Sequence, residues 1–473
     1  MIALTLAEIR DLTGGRVAGT DTPDDVVIDG VVTTDSRECT PGSLYVARVG
    51  ELADGHDYVS GAVTAGAVAA LTSREVEGVA QVVVDDVQTA FGAIARGVVD
   101  RAPELRIVGI TGSSGKTSTK DLLATVLGSV AETVAPLNSL NGEIGVPLTV
   151  CRVTPTTRFL VAEMGARGVG HIDYLTRIAP PQVAIVLNVG TAHLGEFGSR
   201  ENIALAKSEL PRAVPSEGLA VLNADDPLVA GMREGLACRV QLVGLSPAAD
   251  VRAEDVELDN LGRAAYTLVA PAGSARITLR QSGAHHVGNS LAVAAAALEL
   301  GLSLDQVVAG LSAAEAVSRW RMELTERADG VLVVNDAYNA NPDSMRAALD
   351  AVAAMAAPGR RWAVLGGMLE LGDDSDAEHA AVGAYAAGLG LDHLVAVGEG
   401  ARPVAAAFPG AEWVPDIDAA HDLLEGRLAA GDVVLLKSSR DSGLRWLGDR
   451  LAGRDGRDGR DGAVHDDDKV VTP

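Results

Sequence analysis

The sequence predicts an α/β protein built from three units, and three observations carry that expectation. Apolar, strand-like runs alternate with helical stretches along most of the chain. The runs RFLVAEMG (158–165), QVAIVLNVG (182–190) and GLAVLNADD (218–226) are almost continuously apolar, as strands of a parallel sheet covered on both faces must be. The stretch TGSSGKTSTK (111–120) follows the apolar run RIVGI (106–110) and opens a helix, so a strand breaks there into a Gly-rich turn. A length of 473 residues suits about three domains.

The first unit covers residues 1–104. Thr5-Leu6-Ala7-Glu8 reads as a capping box opening a short helix. The short strands VIDGVVT, SLYVAR, AVAALTS and QVVVDD follow, with helices near 56–66 and 88–102. The second unit, 105–316, holds the Gly-rich turn and the three apolar strands. Alternating patterns over 239–280 suggest an antiparallel extension, and the Ala-rich stretch 286–300 a helix. In the third unit, 317–452, the strands VLVVNDAY, RWAVLGGM, HLVAVGEG and DVVLLKSS alternate with helices near 342–356, 377–389 and 418–430. That order reads as a doubly wound domain, where ligands gather at the carboxyl ends of the strands. Residues 453–473 contain three Arg-Asp-Gly units (454–462) and then DDDK, a low-complexity pattern expected to be disordered.

Composition narrows the function. Aromatic residues make up only 3%, so the cores must be built from Ala, Val and Leu. A formal net charge of −25 disfavours nucleic acid or an anionic membrane as a partner. Cys39, Cys151 and Cys238 are too few and too scattered for a disulfide framework or a zinc site, which suits a reducing cytoplasm. The N-terminus lacks the pattern of a signal peptide, and no run of about 18 apolar residues suggests a membrane span. A monomer is the default expectation.

The Gly-rich turn carries the clearest chemistry. A strand–turn–helix of this kind points backbone N–H groups and a helix N-terminus at phosphate. Gly112, Ser113, Ser114, Gly115 and Ser118 would form the cradle. Lys116 would reach the outer phosphates and the Thr117 hydroxyl would sit on Mg²⁺. The glycine spacing is shorter than the usual G-x-x-x-x-G-K-[ST], because residue 110 is Ile. Of 39 basic residues only five are lysine: 116, 120, 207, 437 and 469. Lysine retained in an arginine-rich chain suggests a need for a compact amine that can lose its proton. Glu163 ends one apolar strand and His193 lies just past another. Both would meet the phosphates if their strands flank the loop strand, Glu163 as a Mg²⁺ ligand; otherwise they are a solvated strand-end carboxylate and a polar loop residue. Lys207, within ENIALAKSEL, could pair with Glu201 or Glu209, or face water. Asn289, Arg319 and Asp336 bracket the junction of the second and third units. Their side chains suit an adenine edge, a phosphoryl group and a ribose respectively.

Together these segments resemble the Mur ligases, ATP-dependent amide-forming enzymes of peptidoglycan precursor synthesis and hence of cell-wall growth and division. The resemblance runs from about residue 30 to 445. It is carried by TDSRECTPGSLYVARVG, TGSSGKTSTK, NSLNGEIGVPLTV, VAEMGARGVGHI, NVGTAHLGEFGS, AKSEL, HHVGNSLAVAAAAL, SRWRME, NDAYNANPDSMRAAL, GGMLELGDDSDAEH and GDVVLLKSSR. In that family the short G-x-x-G-K-T loop is normal. The NxxNGEIGVPLT and NDAYNANPDSM segments look like the branch that adds D-alanyl-D-alanine.

The resemblance implies a small N-terminal UDP-sugar domain, a central P-loop ATPase-type domain and a Rossmann-like acceptor domain. It implies UDP-N-acetylmuramoyl-tripeptide, D-Ala-D-Ala and ATP as substrates, joined through an acyl phosphate. Glu163 and His193 would be ligands at a two-magnesium site, and Lys207 matches a lysine that CO₂ converts to a carbamate. Asn289, Arg319 and Asp336 match adenine, phosphate and ribose contacts. Ser36 and Arg37 match the uridine motif, and Asn138 and Asn141 match substrate contacts. Asn339, Asn341, Lys437, Ser439 and Arg440 fall in the acceptor-domain segments and are expected to bind substrate. Three positions depart from the pattern: His286 stands where Asn is usual, and Ser318 and Ser438 stand where Gly is common, which raises the question of backbone angle there. A sister amide ligase, such as the diaminopimelate- or lysine-adding enzyme or folylpolyglutamate synthase, is the nearest alternative. A P-loop kinase or a non-catalytic ATP-binding regulator is the alternative from another class.

Overall fold

A computed structural model describes residues 1–50, 53–191 and 194–454. The first unit is a five-stranded sheet in the order Arg16–Ala18, Gln81–Val83, Ala67–Thr72, Ser43–Val46, Val32–Thr33, parallel except at the Arg16–Ala18 edge. The capping box forms as the sequence requires: Thr5 Oγ1 accepts from Glu8 N, and Glu8 Oε2 accepts from Thr5 N. The helix Val87–Asp100 packs on the helices Gly145–Val150 and His171–Ile178 of the second unit. One apolar core therefore runs through both units, from Leu4 and Phe91 to Leu160 and Ile172.

The central sheet has nine strands. Its parallel part runs Thr133–Val134, Phe159–Glu163, Arg106–Thr111, Val183–Val186, Leu219–Asn223, Arg239–Gly244. Val251–Leu258 joins this edge in parallel, and Arg263–Ala270 and Gly273–Ser282 continue as an antiparallel meander. The 239–280 stretch is thus half as expected, because its first strand belongs to the parallel sheet. The topology puts the strand before the Gly-rich loop between two parallel neighbours, with Glu163 opposite Ile110 and Val186 opposite Thr111. Three carboxyl ends meet at that point. The long helix His285–Glu299 crosses the same face and packs on the loop helix Lys116–Gly128.

The third unit is a six-stranded sheet in the order Glu323–Glu326, Leu332–Asn335, Val433–Lys437, Arg361–Leu365, His393–Val397, Glu412–Val414, antiparallel only at its first pair. Its two apolar cores contain no residue before Met322. The expected disordered tail lies outside the described residues from 455 onward. Arg454, the first residue of the repeats, is held: its backbone N donates to Asp449 O at 2.9 Å and its guanidinium to Thr325 Oγ1 at 2.9 Å. Among the described residues no helix is long and apolar enough to cross a membrane.

Candidate active site

The three units surround one cavity of about 1680 Å³, with the Gly-rich loop on its wall. Gly115 caps the loop helix at φ 80°, a left-handed angle that favours glycine. A Cβ on Gly115 would lie 2.9 Å from Asn289 Oδ1, so the loop can approach the crossing helix only without a side chain. Asn188 braces the loop from the next strand end: its Oδ1 accepts from Ser114 N at 2.9 Å and its Nδ2 donates to Ser114 O at 3.2 Å.

Around this cradle sits a compact set of polar groups. Lys116 Nζ folds back to donate to Gly112 O at 2.7 Å. Burial pulls its pKa below the usual amine value, partly countered by the Glu163 carboxylate and reinforced by Arg321. Thr117 Oγ1 lies 2.9 Å from Ser139 Oγ and 3.4 Å from Glu163 Oε1. Asn141 Nδ2 donates to Glu163 Oε1 at 2.7 Å, while Glu163 Oε2 is buried with no hydrogen-bond partner. Glu163 is therefore an interior carboxylate with one free oxygen and not a solvated strand end.

Lys207 also faces the cavity and is buried. Burial, and then the charge on Lys116, drives its pKa well below the ordinary value. Glu209, one of its expected partners, instead accepts from Gly170 N at 2.6 Å and Asp173 N at 2.9 Å. Asn289 is buried on the same wall with its Nδ2 unpartnered. Beside it His286 is buried with Nδ1 unpartnered; desolvation, and then His285, push its pKa well down.

Family models match in order along the chain. Residues 30–104 match the Mur ligase family catalytic domain, 110–297 the Mur ligase middle domain, and 320–440 the Mur ligase glutamate ligase domain. The chain belongs to the Mur ligase family. Among curated relatives, the UDP-N-acetylmuramoyl-tripeptide--D-alanyl-D-alanine ligase of Mycobacterium tuberculosis is 46% identical, over 96% of this chain and 99% of its own. Among solved structures, MurF from Acinetobacter baumannii superposes with a TM-score of 0.87 at 33% identity, over 96% of this chain and 99% of that one. MurF ligase from Thermotoga maritima in complex with ADP gives a TM-score of 0.80 at 28% identity, over 91% and 98%.

Within this family site, most of the residues expected from the sequence converge. Ser113, Ser114, Gly115, Lys116, Thr117, Ser118, Asn138, Asn141, Glu163, Lys207, Asn289, Asp336, Asn339, Asn341, Lys437, Ser439 and Arg440 all line the cavity, with Gly112 behind the loop. His193 lies outside the described residues. Ser36 and Arg37 stand apart from the lining; Arg37 is exposed and paired with Asp35, while Thr33, Glu38 and Arg48 face the cavity. Asp336 does not present a free carboxylate. Its Oδ1 accepts from Met322 N at 3.0 Å and its Oδ2 from Lys437 Nζ at 2.6 Å. That ion pair lies in the interior, and burial still lowers the Lys437 pKa against the pull of Asp336.

Arg319 stands apart from the cavity lining. Its guanidinium is 2.8 Å from the buried Asp449 and stacks 4.7 Å from the Trp320 ring centre, away from the cavity. Arg321 lines the cavity instead. Arg321 Nη2 lies 3.1 Å from Ser139 Oγ and 3.4 Å from Thr117 Oγ1, and its guanidinium covers the Tyr338 ring at 4.4 Å. The backbone between them is the reason. Trp320 is left-handed at φ 57° and its indole Nε1 is anchored on Asp449 at 3.1 Å, which turns the two arginines to different surroundings. The non-glycine left-handed residues among those described are Asn138, Asp255, Trp320, Met322 and Glu370. Ser318 and Ser438 are not among them, so replacing glycine at those positions introduces no strain of that kind. Arg321 and Asn188 are the site residues that sequence reasoning missed; the Arg-x-Arg spacing in SRWRME was the only available signal for Arg321.

Proposed function

We propose that this chain is an ATP-dependent ligase that joins the amine of D-alanyl-D-alanine to the terminal carboxylate of UDP-N-acetylmuramoyl-tripeptide. The observation that carries the reading is the convergence of Lys116, Thr117, Glu163 and Lys207 on a phosphate-type loop inside a cavity walled by all three units. Near-full-length similarity to ligases of that name supports the choice of substrates.

In this reading the tripeptide carboxylate takes the γ-phosphoryl group of ATP, releasing ADP and leaving an acyl phosphate. The dipeptide amine then attacks the acyl carbon, and phosphate departs as the amide forms. Lys116 and Arg321 would stabilise negative charge on the transferring phosphoryl oxygens. The unpartnered Glu163 oxygen and the neighbouring Thr117 hydroxyl are hard donors that fit Mg²⁺. Magnesium held there would neutralise phosphate charge. His193 is assigned to a second magnesium ion by family resemblance alone.

Lys207 would be carbamylated. Its buried amine, with a depressed pKa, is a neutral nucleophile that can add to CO₂ and release a proton, turning a neutral group into an anion beside Lys116. Asn289 would hold the adenine edge through its free amide. Asn339, Lys437, Ser439 and Arg440 would line the dipeptide site, with Asp336 orienting Lys437.

The test is acceptor dependence. ADP release that requires both the UDP-muramoyl tripeptide and D-Ala-D-Ala, with the pentapeptide product identified by mass, supports the proposal. ADP release with a single amino acid in place of the dipeptide would move the chain to a sister ligase. A phosphorylated end product would mark a kinase, and ATP binding without turnover a regulator.

A further inference from the structure

We propose that Asp343 is a positioning residue that latches the third domain onto the nucleotide loop and so protects the acyl phosphate from water. The inference rests on the ligase reading above. It starts from an asymmetry in packing. The first and second units share one apolar core, whereas the cores of the third contain no residue before Met322. Polar contacts across that boundary must therefore do much of the work of holding the cavity closed.

Asp343 makes the best of them. It lies in the first turn of the helix Pro342–Ala354, which Asn341 already caps by accepting from Ser344 N at 2.9 Å. The helix start thus has its own cap, and the Asp343 carboxylate reaches outward. Its Oδ2 accepts from Thr191 N at 2.8 Å and from Thr191 Oγ1 at 3.2 Å. A Cβ on the adjacent Gly190 would stand 2.1 Å from that oxygen, so the approach needs glycine there. Gly190 N donates to Ser113 Oγ at 2.9 Å, and Asn341 Nδ2 lies 3.4 Å from Ser113 O. One short network therefore links the third domain, the strand end at 190–191 and the nucleotide loop. A second approach lies close by, where Gly195 N donates to Glu370 O at 3.4 Å.

The chemistry gives closure a purpose. In an open enzyme, water attacks the acyl-phosphate carbonyl, phosphate leaves and the original carboxylate returns, so ATP is consumed without amide. Three variants test the latch. Asp343→Ser keeps a residue suited to a helix start but is too short to reach Thr191. Gly190→Ala puts a methyl group where Asp343 Oδ2 lies. Asp343→Asn keeps the reach and an acceptor oxygen. Wild type should release one ADP per amide. Asp343→Ser and Gly190→Ala should release several, with KM for D-Ala-D-Ala raised about tenfold, and Asp343→Ser should keep its affinity for AMP-PNP within about twofold of wild type. Asp343→Asn should recover most of the coupling.

Small-angle scattering with AMP-PNP and Mg²⁺ reads closure without turnover, and the serine variant should stay more expanded than wild type. One ADP per amide and an unchanged dipeptide KM in both disruptive variants would overturn the assignment, as would scattering identical to wild type. A wild-type enzyme that makes no amide would instead refute the ligase reading, leaving the scattering result to decide Asp343.

Discussion

Arg319 and Arg321 are two residues apart, and their side chains lie in different surroundings. Replacing each with methionine separates their contributions. Arg321 reaches neutral hydroxyls, at 3.1 and 3.4 Å, and an aromatic face, and its charge bears on Lys116 and Lys437 without an acidic partner in these contacts. Its removal should change stability little. In turnover it would donate a charge-assisted hydrogen bond to a phosphoryl oxygen, worth about 1.5–3 kcal/mol. Arg321→Met should therefore lower kcat/KM by roughly 10- to 150-fold. Arg319 is the cationic partner of Asp449, whose side chain is only 1% exposed. Orphaning a buried carboxylate costs about 3–5 kcal/mol when both partners are buried. Arg319 is 38% exposed and Asp449 keeps the Trp320 indole, so about 1–2 kcal/mol is the expected loss here.

The pH dependence sharpens the test. Burial raises the Asp449 pKa above the ordinary carboxylate value in the folded chain. Between the unfolded value, about 3.9, and that raised value, the folded state holds the extra proton, so stability falls as pH rises through the window. Without Arg319 the folded value rises further and the window widens. The stability gap between wild type and Arg319→Met should be small below about pH 4 and full at neutral pH. Initial rates of ADP release and urea unfolding at two pH values measure both variants. An Arg319→Met enzyme with poor turnover and unchanged stability, or a fully active Arg321→Met enzyme, would refute the reasoning.

Further outcomes follow from single buried groups. Glu163→Gln keeps the shape and the Asn141 neighbour but removes the free anionic oxygen, so the Mg²⁺ concentration for half-maximal rate should rise at least about tenfold; an unchanged magnesium titration would remove Glu163 from the metal site. Asn289→Leu is close in volume and loses the unpartnered amide; KM for ATP should rise about tenfold, with kcat nearly kept and discrimination against GTP reduced, as competition kinetics would show. Lys207→Ala should lose most activity and regain part of it with a short carboxylic acid such as acetate. Full activity of that variant would end the carbamate proposal and leave the ligase reading standing.

Much of the fold was legible because parallel, doubly covered strands leave a strong apolar signature. The three runs ending at 165, 190 and 226 contain the neighbouring strands that the loop requires. The capping box at Thr5 was equally plain, since both of its hydrogen bonds are local. What stayed hidden depended on backbone geometry or on distant partners. Trp is a poor candidate for a left-handed angle, so nothing in SRWRME announced that residue 320 would turn the chain and send the two arginines to different surroundings. The pairing of Lys437 with Asp336 spans 101 positions and needs two strands to be neighbours before it can be inferred. Asn188 supports the loop from a strand 74 residues away, for the same reason.

The distribution of lysine ties these observations together. Four of the five lysines are described, and three of those, Lys116, Lys207 and Lys437, line the cavity with pKa values lowered first by burial. Lys120 is buried just outside it on Asp121 and Pro136 O. Arginine serves on surface pairs such as Arg96–Asp100 and Arg177–Asp173, at Arg319 on Asp449, and on the cavity wall at Arg321 and Arg440, where a fixed charge and a flat fork suffice. A guanidinium cannot lose its proton under these conditions, so each arginine on the wall brings a permanent charge to the cavity. An amine can respond to what arrives. The burial that lowers these three pKa values makes the charge of each amine sensitive to what enters the cavity, and the carbamate proposed at Lys207 would carry that response furthest. In a chain with a net charge of −25 that is proposed to bind a nucleotide and a UDP-sugar, adjustable cations reconcile a crowded cationic site with the anions it must receive.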